Sequence, residues 1–131
     1  MKWRAKLRVV LASLLVGASL TGCSNTATFD NQLKEICKGI ISTDGDVKYK
    51  KVMTSEAFGE LTGELGYMLG SQNVYIDVRY TPSNLNSLGK NYYDITATGL
   101  NDGKHCKAEL FLFTDADGKI IDVGAWLKTV K

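Results

Sequence analysis

The chain is poor in the residues that would commit it to a familiar chemistry. It has a single histidine, His105, so a histidine-rich metal site or a Ser-His-Asp triad would have to be built around that one side chain. No glycine-rich phosphate loop occurs. The single proline, Pro82, punctuates only one loop, and the apolar run near the start, Val9 to Leu20, has about a dozen residues against the roughly 20 a permanent bilayer span needs. A spanning helix is therefore the poorer reading of that run. Cysteines number three, and basic residues never cluster after position 22.

What the sequence does hold begins with that run. Lys2, Arg4, Lys6 and Arg8 precede it, and small residues end it, which is secretory signal architecture. Leu20-Thr21-Gly22-Cys23 then resembles, position by position, the lipobox of bacterial lipoproteins. The resemblance implies that 1–22 is a signal that is removed and that Cys23 carries a covalent lipid, the only cofactor-like group expected. Thiolate chemistry permits a thioether there. A multiply acylated cysteine would hold a soluble domain at a membrane without any helix. Ser24, which is not Asp, resembles the outer-membrane sorting pattern, implying a periplasm-facing outer-membrane protein if the source is Gram-negative.

Removing the signal reverses the charge. The full chain has 16 basic and 14 acidic residues; the first 22 hold four basic and no acidic ones, leaving 12 against 14, about −2. Nucleic acid is accordingly not an expected partner. The 109 residues that remain of 131 suffice for one small domain, expected over 30–131 with 23–29 as a polar tether. With Cys23 assigned to lipid, Cys37 and Cys106 are left in a compartment that permits oxidation. A bridge between them would close a loop of about 70 residues and stabilise by roughly 4 kcal/mol; two buried free thiols are the alternative.

Asp30 is placed to cap a helix in which Leu33, Ile36, Cys37, Ile40 and Ile41 form one apolar stripe. Thr43 to Asp46 ends it. Segment 46–53 reads either as one or two helical turns or as the start of a strand. Thr54 or Ser55 can cap a further helix through Phe58, Leu61, Leu65, Met68 and Leu69, stopped by Gly70; Gly59, Gly63 and Gly66 inside it imply close backbone approach or looseness. From Asn73 the period becomes two. Strands are expected over Val74–Tyr80, Tyr92–Thr98, Cys106–Phe113 and Ile120–Leu127, with Asn101-Asp102-Gly103 and Asp117-Gly118 as turns.

The expected fold is thus α+β: two or three N-terminal helices on a four-stranded antiparallel meander. Gly45 to Tyr49 with Met53 to Phe58, and Asp117 to Val123, look like segments of small lipoproteins of the cystatin and nuclear-transport-factor-like superfamily. That resemblance implies a cone-like arrangement, and fold likeness alone supplies no function.

Candidate chemistry is sparse. Asp115-Ala116-Asp117-Gly118 echoes the start of a calcium loop but lacks the later ligands, and a hairpin turn accounts for it, so no metal is expected. Asp77, Asp94, Glu109 and Asp122 lie on strands, where they would serve as acid and base only if a cleft brought them together. No catalytic residue is expected, and the chain is read as a non-enzyme. Tyr75, Tyr92, Phe111, Phe113 and Trp126 fall on the face opposite the expected core and are the candidate interface. Two functions follow: an envelope-anchored lipoprotein that binds another protein (immunity, inhibitor, exclusion or assembly accessory), or a small-ligand or catalytic domain with a pocket between helices and sheet. The apolar inward positions favour the first.

Overall fold

A computed structural model describes the backbone of residues 21–130 and the side chains of residues 28–130. Residues 1–20, including Leu20, lie outside the described residues, as does the side chain of Cys23. The chain divides into two compact units, Met1–Asn31 and Gln32–Lys131, and the fold below is that of the second. It is α+β: helix α1 (Thr21–Ile41), helix α2 (Ser55–Glu64), then strands β1 (Gln72–Thr81), β2 (Tyr92–Asn101), β3 (Lys104–Thr114) and β4 (Ile120–Val130). The strands pair in sequence order, all antiparallel.

Alternation decides the sheet. Tyr93, Ile95 and Ala97 on β2 and Cys106, Ala108, Leu110 and Leu112 on β3 are all buried, while the intervening side chains stand on the other face. Leu33, Ile36, Cys37, Ile40 and Ile41 of α1 and Ala57 and Leu61 of α2 complete the core with Leu65 and Met68. Only Ile76 of β1 is buried, because β1 is an edge strand with a single sheet neighbour. Type I′-like turn chemistry at Asp102 and Gly103, φ +54° and +75°, joins β2 to β3.

Several expectations are corrected. The backbone is helical from Thr21, so Asp30 lies inside α1 and is not its cap; nothing in Ser24 to Phe29 breaks a helix, and a residue inside one has no orphan N–H groups to cap. Thr54 is the cap of α2: its Oγ1 accepts from the Ala57 N–H at 3.1 Å. That helix ends at Glu64, nearer than expected, and a 3₁₀ turn over Gly66–Met68 carries the chain to Gly70, whose φ is +83°. Segment 46–53 is neither helix nor strand. The Tyr49 ring stacks on Phe58 at 3.9 Å, and Met53 forms an isolated parallel bridge with Ile120. Gly59, Gly63 and Gly66 have no neighbour within 4 Å of a built Cβ, so none serves close approach. The expected bridge is also missing: Cys37 and Cys106 are buried free thiols, each seated on its own element's apolar face.

Candidate functional site

The outer face of the sheet is built by register. Thr81, Tyr92, Phe113 and Asp122 form one row across the four strands, Arg79, Asp94, Phe111 and Gly124 the next, and Asp77, Thr96, Glu109 and Leu127 the third. A β-bulge between Glu109 and Leu110 skips Trp126, which has no single partner on β3 and turns to lie 6.3 Å from the Phe111 ring. Tyr92 meets Phe111 at 4.9 Å and Phe113 at 5.7 Å, in tilted and edge geometries that aromatic quadrupoles favour. Lys90 Nζ sits 5.3 Å above the Phe113 ring.

Four of the five predicted interface residues are therefore one cluster. Trp126, 69% exposed, is its most open member. Tyr75 is not part of it; it pairs with Thr98, six residues along β2 from Tyr92 or about 20 Å at strand rise. Tyr92, Phe111 and Phe113 are half-buried, and their rings pack against one another.

The charges beside the cluster share the same face. Asp94 lies across from both Arg79 and Phe111. Desolvation against its neighbours pushes its carboxyl above the usual carboxylate range; the Arg79 guanidinium opposes this, and the Glu109 and Asp77 carboxylates reinforce it. Glu109 is paired with Lys107 at 3.1 Å. Asp122 accepts the following N–H, of Val123, at 3.0 Å. Asp77, Asp94 and Glu109 share the outer face on adjacent strands, and none of them lines either of the two cavities described below.

The remaining candidates stand alone. His105 is exposed at the start of β3, beside Cys106 in a shallow cavity of about 400 Å³ with Asn73 and Thr98. Asp115 Oδ1 accepts from the N–H groups of Asp117 and Lys119, both at 2.9 Å, which closes a hairpin turn. Among the described residues no group of three His, Cys, Asp or Glu side chains could hold a metal, and no helix is long and apolar enough to cross a membrane. A second cavity, about 390 Å³ and lined by Ile40, Val47, Tyr49, Phe58 and Thr62, opens between the end of α1 and α2. The buried residues that α1, α2 and the sheet contribute are apolar, and among the described carboxylates Asp30 has one buried oxygen, Oδ1.

Sequence reasoning located the aromatic residues through alternation but missed Asp94 as their charged neighbour. Its cross-strand pairing with Phe111 needs the register, which strand periodicity does not contain. No family model, curated protein or solved structure matches the chain.

Proposed function

We propose that the chain is a non-enzymatic lipoprotein, held in the cell envelope by lipid on Cys23, that acts by binding another protein through the outer face of its sheet. Immunity, inhibition, exclusion and envelope assembly are all roles of that kind. The observation that supports it is the partly exposed cluster of Tyr92, Phe111, Phe113 and Trp126 bordered by Asp94, on the face opposite the core. Aromatic clusters of this sort are where binding energy concentrates. The partner that fits presents arginine or lysine together with apolar side chains: a cation laid on Trp126 or Phe111 gains from the ring faces and meets the Asp94 carboxylate. The two helices set on one face of the four-stranded meander support, at fold level, the cone-like resemblance, which adds no activity.

The test is crosslinking of the anchored protein in its native envelope, with recovery of partners compared between wild type, Trp126→Ala, Asp94→Asn and the control Lys104→Ala, exposed at the far end of β3 from Phe113. The expected result is one recovered partner, lost about tenfold or more in Trp126→Ala, reduced in Asp94→Asn and unchanged in the control. Recovery indifferent to both face variants, or no partner together with a bound small molecule, would overturn the proposal.

A further inference from the structure

The two edges of the sheet are treated very differently. Along β4, Ile120 exchanges backbone hydrogen bonds with Val52 and Thr54 at 2.8 and 3.0 Å, the Val123 N–H donates to Glu60 Oε1 at 3.1 Å, and Lys128 pairs with Glu64 at 2.8 Å. The 52–54 segment and α2 thus cover that edge. Along β1 nothing comparable occurs: among the described residues none hydrogen-bonds to the backbone of Gln72–Thr81 except β2. An uncovered edge strand is a template for another strand. A register shift between Gln72 and Tyr75 limits the regular part of this edge to Tyr75–Thr81, and Val78 is its centre.

We propose that β1 pairs with β1 of a second copy of this chain, antiparallel, about a two-fold axis at Val78. Charge selects both the partner and the register. With Val78 opposite Val78, Asp77 stands opposite Arg79 of the second copy, twice by symmetry, and Ile76 stands opposite Tyr80. Moving the axis one residue to Asp77 or to Arg79 sets like charges directly opposite. The favoured register also pairs the whole regular stretch, Tyr75 with Thr81 at its ends, and keeps both outer faces on one side of an eight-stranded sheet. Tyr75, 66% exposed and remote from the aromatic cluster, then lies beside the junction, which accounts for an aromatic residue the cluster leaves out.

The experiment is sedimentation velocity on the chain as the cell produces it, in non-ionic detergent, over a concentration series, with hydrogen exchange of the β1 amides. Wild type should self-associate to a dimer, with the amides of Tyr75–Thr81 gaining protection as concentration rises. Asp77→Arg should weaken the dimer by about tenfold or more, since it creates two like-charge pairs. The exchange Asp77→Arg with Arg79→Asp should restore it to within about threefold. Circular dichroism establishes that each variant is folded. A wild type that stays monomeric at several hundred micromolar, a folded Asp77→Arg that associates unchanged, or β1 protection that arises only on adding envelope extract would overturn self-pairing; the last would assign the edge to a foreign strand.

Discussion

Four described groups, Cys37, Tyr67, Tyr80 and Asp94, have raised pKa values, and Cys37 and Asp94 act at opposite ends of the pH range. Burial pushes the Cys37 thiol up from 9.0 to about 12. The folded state therefore keeps a proton that the unfolded state releases, and this contribution is complete below about pH 9 and lost as pH rises toward 12. Chemical denaturation across that window should show wild type losing about 1.4 kcal/mol per pH unit more than Cys37→Ala. Equal slopes would mean that Cys37 is not a buried free thiol. Asp94 is raised too, by desolvation first and by the Glu109 and Asp77 carboxylates, so a cationic partner laid beside it would favour its ionised form. Glycine 59 is simpler. With empty space around a built Cβ in the middle of α2, Gly59→Ala should stabilise by about 1 kcal/mol in thermal or urea unfolding. Gly39→Ala is the contrasting case, since its Cβ would lie 2.8 Å from Val47 Cγ2.

At the scale of elements, α2 depends on its first turn. Thr54→Ala removes the oxygen that accepts the Ala57 N–H and should cost about 1 kcal/mol in the same unfolding measurement, with Thr54→Ser close to wild type. α2 also covers the β4 edge, so its stability and the sheet's one protected border are coupled. The four strands were legible because alternation and the Asn101-Asp102-Gly103 and Asp117-Gly118 turns are local signals, and each observed strand contains the expected one. What failed to show was non-local. The start of α1 carries no apolar period before Leu33, segment 46–53 takes its shape from Phe58 and Ile120, and the bulge that turns out Trp126 exists only in the pairing of β3 with β4. The glycines of α2 misled because composition does not say whether a bare backbone faces a neighbour or solvent.

The unit Gln32–Lys131 has a sheet with one buried face, one aromatic face, one edge covered by α2 and, among the described residues, one edge without a further strand. A lipid at Cys23 would turn these into directions relative to a membrane, and restriction to a surface would raise the effective concentration that a seven-residue edge needs for pairing. The mature charge of about −2, the envelope partner and the reduction of the thiol inventory to Cys37 and Cys106 all rest on that modification. Intact mass measurement of the protein recovered from membranes tests it most directly. The account predicts a chain beginning at Cys23 and heavier than its sequence by a diacylglyceryl group with further acylation, and a Cys23→Ala chain that is neither processed there nor retained on the membrane. An unmodified Cys23, or a Cys23→Ala product that is still cut and membrane-bound, would contradict it.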